Sequence, residues 1–595
     1  MPQFLKFLFA SCLGTILALG VITLIGTCAI GGLVASAEDK PEIKSNSVLR
    51  LSAPTVLPEK TDNVAVDPFS FSTESVTGLQ DMRRAIRHAK TDDDIKGIFI
   101  DLQGFAAGFA SINALRDALV DFKSSGKFIV AYSDYFSQNG YYLASTADVV
   151  MVNPVGGMDF GGLAASIPFM KELLDKLGVK MEVFYVGEFK SATEPFRRND
   201  MSKENRYQIR QYLGELYDIY LQNIAESRGK TVAELQNIAD NLLIRRGEDA
   251  ITYGLADQTG YRADIYKVIK DRLGLDDDDD INSIGLATYA DAVVKLGKGS
   301  DRVAIVYAEG TIGDGSTGLG TIGGDDYAKI FRKIRENDDI GAVVLRVNSG
   351  GGSALASENI LYEVKRVQEA GKPVIVSMGD FAASGGYYIA ASADKIYAEP
   401  STLTGSIGIF GVLPNLSEMT REKVGIHFDS VKTARHALIG DPFYEIDDPQ
   451  REIIQSQLEE GYRIFIDRVA KGRGMTPEQV DEIARGRVWT GTQALRVGLV
   501  DELGGMDEAV AAAAVAAGYE ADDYRITEYP RVQDPIQELL KEITGEGKKT
   551  DPMASIREEL LEGEFGEFYP YIRQARELSE MKGPQARLPF ELRFE

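Results

Sequence analysis

The segment Gly379-Asp-Phe-Ala-Ala-Ser384-Gly-Gly-Tyr-Tyr388 sets a serine between an apolar run and a small-residue helix start, with two glycines directly after it. A nucleophilic hydroxyl is displayed well at such a junction, because the next N–H faces the same point and glycine allows close backbone approach. The same serine reads equally as an N-cap for a helix over Gly386–Ser392. A serine nucleophile needs a base, and histidine is scarce: the chain has His88, His427 and His436, none in a compact motif. A neutral lysine is the alternative. Gly187-Glu-Phe-Lys190-Ser-Ala-Thr-Glu-Pro-Phe196 holds a lysine among small and aromatic residues, where a solvated lysine would have polar company. Asn348-Ser-Gly-Gly-Gly-Ser353 follows an apolar run ending at Val347. Its glycines can expose N–H groups to an oxyanion, or simply make a tight turn. No Gly-Lys-Ser/Thr follows and no GxGxxG opens the helix, which disfavours a phosphate loop.

These residues sit in a chain that repeats itself. Gly140-Tyr-Tyr-Leu-Ala-Ser-Thr-Ala-Asp148 matches Gly386-Tyr-Tyr-Ile-Ala-Ala-Ser-Ala-Asp394 at six of nine positions, 246 residues apart. Gly126-Lys127 and Gly371-Lys372, Pro154 and Pro400, and Gly254–Asp257 and Gly498–Asp501 keep that offset within two residues. The pattern indicates a tandem duplication, with units over about 45–275 and 300–525 joined through the acidic run Asp276–Asp280. As domains these become an N-terminal segment 1–40, a first unit 41–285, a second unit 286–525 and a C-terminal tail 526–595, to which no chemistry is assigned. In each unit, apolar runs (Ile95–Leu102 and Phe128–Tyr132; Ile340–Val347 and Pro373–Met378) alternate with amphipathic segments (Ile112–Phe122; Glu358–Val367). That alternation predicts α/β units with largely parallel strands. The copies diverge reciprocally: Gln138 and Asn139 stand where the second unit has Ser384 and Gly385, and Arg435–Gly440 has no lysine to match Lys190. A serine kept only as a cap would be needed in both copies, so the divergence pairs Ser384 with Lys190.

The 65 basic and 90 acidic residues give a net charge of −25, which argues against a nucleic-acid partner. Cys12 and Cys28 both lie in the first apolar stretch, leaving no cysteine for disulfides or thiolate sites elsewhere, and no histidine spacing suits zinc. Phe7–Val34 is a run of 28 uncharged residues, long enough to span a bilayer. It predicts an uncleaved anchor, although Ala35-Ser-Ala37 resembles a signal-peptidase site. Lys6 before the span and Glu38, Asp39 and Glu42 after it put the N-terminus in the cytoplasm and the remainder outside.

Taken together, Gly187–Phe196 with Arg198-Asn-Asp-Met201, Arg346-Val-Asn-Ser-Gly-Gly-Gly-Ser353, Ala383-Ser-Gly-Gly-Tyr-Tyr388 and Thr404-Gly-Ser-Ile-Gly408 make the chain similar to the signal peptide peptidase A family, or protease IV, in its long duplicated bacterial form. The resemblance implies two tandem ClpP/crotonase-like units after an N-terminal transmembrane helix, and a Ser/Lys dyad with Ser384 as nucleophile and Lys190 as base. It implies Ser406 as the hydroxyl orienting the lysine, and Gly351 and Gly385 as oxyanion donors, with no metal or organic cofactor. Gly350 stands where the family usually has proline, which bears on the oxyanion loop. The implied protein is a homotetrameric serine endopeptidase in the bacterial inner membrane, its catalytic domain periplasmic, degrading cleaved signal peptides. An extended apolar substrate would add as a strand, with Thr402–Phe410 as the expected edge. Because the serine and lysine lie 194 residues apart in duplicated units, the site is expected at a contact between units, repeated around a ring. An acyl-CoA hydratase or isomerase using the same oxyanion pair, and an inactive peptide-binding scaffold, are the rival readings; the anchor, the serine and the lack of a carboxylate pair count against the first.

Overall fold

The computed structural model describes residues 43–52, 56–64, 75–102, 104–520, 523–531 and 584–587. The expected anchor Phe7–Val34 lies outside the described residues, and among those described no helix is long and apolar enough to cross a membrane.

The first unit is built on a six-stranded parallel sheet in the order Gln258–Thr259, Val149–Met158, Phe128–Phe136, Ile95–Asp101, Ser47–Ser52, Ser283–Gly285. Its strands are covered on both faces, which is why they read as continuous apolar runs rather than alternating ones. The second unit repeats the plan: Arg302–Glu309, Ile340–Ser349, Val374–Ala383 and Leu403–Gly405 lie side by side and parallel. Arg525–Tyr529 closes one end of this sheet and Val488–Thr490, antiparallel, the other. Val343, Val344 and Leu345 have no exposed surface, and burying each contributes roughly 1.5–3 kcal/mol. The core strand Ile340–Ser349 therefore fixes where its C-terminal loop emerges.

A third sheet joins the two units. Lys180–Tyr185 of the first pairs antiparallel with Phe410–Asn415 of the second, in register from Tyr185↔Phe410 to Lys180↔Asn415. A buried polar cluster holds the units together elsewhere. Arg346, 2% exposed, donates to Glu59 at 2.9 Å, to Ser377 Oγ at 2.8 Å and to the Met378 carbonyl at 2.9 Å. Gln80 donates to Glu59, the Glu59 N–H and Asn63 donate to Glu309, and the Ser111 N–H and hydroxyl both donate to Asp380. Of these, the bonds between Glu59 and Arg346, from Glu59 and Asn63 to Glu309, and from Ser111 to Asp380 cross from the first unit to strands of the second.

Three expectations need correction. The acidic run Asp276–Asp280 is exposed but does not separate the units, because Ser283–Gly285 after it pairs with Ser47–Ser52 and the helix Leu286–Val293 buries Leu286 and Tyr289 in the first core. Thr402–Phe410 is not one edge strand: Leu403–Gly405 is paired on both sides, with Phe381–Ala383 and with Val488–Thr490, and a new strand starts at Phe410. The tail beyond 525, whose charge and glycine breaks read as helices and loops that cap or tether, contributes Gln585–Arg587 as a strand between Gly351–Ser353 and Phe410–Asn415.

Candidate active site

Ser384 ends the strand Val374–Ala383 and precedes the helix Gly385–Ala390. It occupies the N-cap position with φ +56° and ψ −114°, and its side chain makes no capping hydrogen bond. A non-glycine residue at positive φ costs on the order of 1–3 kcal/mol and persists where the surroundings impose it. Here the Ser384 N–H donates to the Gly405 carbonyl at 2.7 Å, and its carbonyl accepts from Tyr388 at 2.8 Å. The strained turn aims Oγ away from the helix and toward Lys190. In the first unit the corresponding helix, Gln138–Ala144, is capped in the ordinary way by Ser137, whose hydroxyl accepts from the Gly140 N–H at 3.1 Å.

Lys190 Nζ lies 2.8 Å from Ser384 Oγ, 3.0 Å from Ser406 Oγ and 3.0 Å from the Ser406 carbonyl. All three residues have no exposed surface. Among the described residues no carboxylate pairs with the lysine, and burial pushes its pKa well below the ordinary value. Ser406 also sits at positive φ, +47°, held by its N–H donating to Arg487 at 2.7 Å. His427 and His436 lie in the largely exposed stretch after 424, and the nitrogen within reach of Oγ is Nζ.

Two partners that the sequence did not signal hold the lysine loop. Gly486, at φ +80°, packs so closely that a Cβ there would stand 2.6 Å from Lys190 Cβ and N. The Phe189 N–H donates to the Arg485 carbonyl at 2.9 Å beside it. Gln208 donates to Ser191 Oγ at 2.7 Å and to the Phe189 carbonyl at 3.2 Å, while its own oxygen accepts from the Val488 N–H at 3.2 Å. It thus ties the lysine loop to the edge strand of the serine sheet.

The glycine loop differs in detail from expectation. Gly351, at φ +100°, donates its N–H to Ser349 Oγ at 3.1 Å, so that N–H is already engaged. Gly352 N lies 3.1 Å from where a Cβ of Gly385 would stand, which brings the Gly352 and Gly385 backbones together beside Ser384. Gly350 is not among the glycines with positive φ. The arrangement has the parts of an acyl-transfer site: a strained hydroxyl, a dry amine against it, and adjoining backbone N–H groups.

The model of Peptidase family S49 matches the chain twice, over residues 121–276 and 366–520. Protease 4 of Haemophilus influenzae is 40% identical over 437 residues, covering 72% of this chain and 71% of that protein. Protease 4 of Salmonella typhi is 40% identical over 474 residues, 78% of this chain and 76% of that one. The chloroplastic serine protease SPPA of Arabidopsis thaliana is 31% identical over 433 residues, 71% and 64% of the respective chains. Both matched regions carry half of the constellation, Lys190 in the first and Ser384 in the second, and the chain belongs to peptidase family S49 and is a serine protease.

Proposed function

We propose that the chain is a membrane-anchored endopeptidase with a Ser/Lys dyad, in which Ser384 is the nucleophile and Lys190 the general base. The observation that carries this reading is a fully buried lysine with no counter-ion among the described residues, 2.8 Å from a serine hydroxyl that performs no capping role. A dry, unpaired amine is favoured neutral, and a neutral amine accepts the Ser384 proton as Oγ attacks the scissile carbonyl. Ser406, 3.0 Å from Nζ by both its oxygens, orients the amine and stabilises the ammonium that forms. The oxyanion is received by the N–H groups of Gly385 and Gly352, rather than Gly351, whose N–H is taken up by Ser349. Each well-aimed donor contributes about 3–4 kcal/mol to the transition state. Lys190 then delivers the proton to the leaving amine, and water, deprotonated by the same lysine, hydrolyses the ester.

The substrates are extended peptides, remnant signal peptides left in the membrane after secretion, met by a protein held in the bacterial inner membrane through Phe7–Val34 with its bulk outside the cytoplasm. Assembly as a homotetramer goes with this reading by family resemblance, while both members of the proposed dyad come from one chain. Fluorophosphonate labelling followed by mass spectrometry tests the site: label on the Ser384 peptide is expected, lost in Ser384→Ala. Label on another serine with full peptidase activity in Ser384→Ala sinks the assignment.

A further inference from the structure

The first unit keeps a cavity at the place where its second-unit counterpart does chemistry. The 26-residue helices Lys203–Arg228 and Asp448–Arg473 stand 245 residues apart in sequence, and each ends on a glycine in the left-handed region, Gly229 and Gly474. In the second unit, Ile454 and Leu458 of that helix line a cavity of about 270 Å³ with Phe410, which follows Ser406 by four residues. Their counterparts Ile209 and Leu213 line a larger cavity, of about 480 Å³, together with Gly161, Gly162 and Leu163. Gly162 is the residue bonded through both its N–H and its carbonyl to Gln138, the counterpart of Ser384. The larger cavity therefore repeats the position of the one near Ser406, with a glutamine where the serine would be.

What sets the larger cavity apart is charge. Arg206 and Arg210 line it one helical turn apart, both exposed, and neither guanidinium has a hydrogen-bond or ion-pair partner among the described residues. Like charges at that spacing repel, although a chain of net charge −25 has acids to spare for pairing them. At the counterpart positions Arg451 pairs with Glu182, and Gln455 stands in place of the second arginine. The carboxylate that lines the cavity, Asp240, already accepts from Gln236 at 2.8 Å. The Tyr217 hydroxyl, packed against Gly162, is buried with no partner among the described residues. A buried hydroxyl left unpaired is costly. Two guanidiniums and a hydroxyl donor beside Leu163, Ile209 and Leu213 suit a carboxylate carried on an apolar chain, because the guanidinium fork matches a carboxylate bidentately.

We propose that this cavity anchors the free C-terminal carboxylate of an apolar peptide substrate without cleaving it, an inference that rests on the peptidase reading above. A peptide released by an earlier cut ends in a new carboxylate, which the uncut chain lacks at that point. Arg206 and Arg210 hold that carboxylate, the Tyr217 hydroxyl donates to it, and the side chains next to the terminus pack on Ile209 and Leu213. The reaction that supplies the substrate is then a preceding peptide-bond hydrolysis, and the anchor favours its product over the intact precursor. The helix that carries both arginines also carries Gln208, bonded to the Phe189 carbonyl next to Lys190, so anchor and proposed base are set on one element.

The test is hydrolysis, by the full chain, of two apolar peptides of one sequence, one ending in a free carboxylate and the other in an amide, with binding of both to Ser384→Ala read by fluorescence anisotropy. Wild type is expected to show a KM for the acid about tenfold below that for the amide, and Ser384→Ala to bind the two in the same ratio. Arg206→Gln combined with Arg210→Gln should raise the KM of the acid to that of the amide, and Gly214→Glu should do the same. Gly214 lines the cavity, a Cβ there meets nothing within 4 Å, and the new carboxylate lies one turn after Arg210, so this variant fills the anchor without crowding the fold. Equal KM values for acid and amide in wild type overturn the proposal, as does a ratio that survives both variants. Loss of the native oligomer in the arginine variant with the ratio intact assigns the guanidiniums to a second copy of the chain and overturns it too. If Ser384→Ala hydrolyses both peptides as fast as wild type, the dyad reading falls, while the acid–amide ratio still decides the cavity.

Discussion

Replacing Gly486 by alanine separates the positioning of the lysine from its chemistry. An added Cβ would stand 2.6 Å from Lys190 Cβ and N and 2.7 Å from its Cα, at a backbone φ of +80°. The conformation alone costs about 1–2 kcal/mol for an L-residue, and overpacking a filled site typically adds about 1–3 kcal/mol. The sum, about 2–5 kcal/mol, is relieved most directly by pushing Lys190 away, because the Arg485 turn is itself bonded to Phe189 at 2.9 Å. A displacement near 1 Å costs on the order of 100-fold in rate. Gly474→Ala is the control: its φ is +63°, but nothing lies within 4 Å of the new Cβ, so it bears only the conformational cost. We expect Gly474→Ala to lose about 1–2 kcal/mol in urea denaturation with unchanged kcat, and Gly486→Ala to lose more stability and about 100-fold in kcat. If Gly486→Ala keeps more than half of the wild-type kcat and loses no more stability than the control, the close packing does not position the lysine.

Lys190→Met should abolish hydrolysis and stabilise the fold at pH 7, because burial lowers the native lysine pKa and the unfolded chain binds a proton that the native state refuses. That advantage should shrink as pH rises toward the unfolded value of about 10.4, and wild-type kcat should rise with pH along one ionisation below that value; an advantage unchanged between pH 7 and 10 contradicts the linkage. Glu309 behaves oppositely: burial, with Glu59 beside it, pushes its carboxyl up to about 8, so native stability falls as pH climbs from the ordinary 4.5 to about 8. Glu309→Gln should match wild type near pH 4.5 and gain up to about 5 kcal/mol by pH 9, read from denaturation midpoints; parallel curves for the two chains refute this. Glu59→Leu strands the buried Arg346 guanidinium and should cost about 3–5 kcal/mol, with a loss under about 1 kcal/mol showing that Arg346 finds another partner.

The apolar runs located the core strands because strands buried on both faces must be apolar throughout, and Ile95–Asp101, Ile340–Ser349 and Val374–Ala383 begin within a residue of those runs. From the residues alone Ser384 reads as a cap or a nucleophile; its φ of +56° and the lack of a side-chain capping bond count against the cap. What the residues could not convey was pairing between distant segments. Lys180–Tyr185 with Phe410–Asn415, and Gln585–Arg587 with the glycine loop, are held by main-chain hydrogen bonds, which leave no side-chain period to read. Gln208 and Gly486 were missed for a related reason, since one contact is a polar side chain on a long helix and the other is a space without a side chain. Ser406 came only through family resemblance.

The division of the proposed dyad between two copies has a physical logic. A serine at positive φ and a dry, unpaired lysine each lower stability, so a second set serving no purpose would be a standing cost. At the serine's counterpart, Gln138 donates to the Gly162 carbonyl and accepts from the Gly162 N–H, both at 3.0 Å, and the helix start is capped by Ser137. The first copy has thus become an ordinary, relaxed helix start, free of the strain at Ser384. What makes the remaining halves usable is the antiparallel pairing from Tyr185↔Phe410 to Lys180↔Asn415, whose first-unit strand ends five residues before Lys190 and whose second-unit strand begins four residues after Ser406. The link between the units is covalent, and Lys190 reaches Ser384 across the contact between units within one chain.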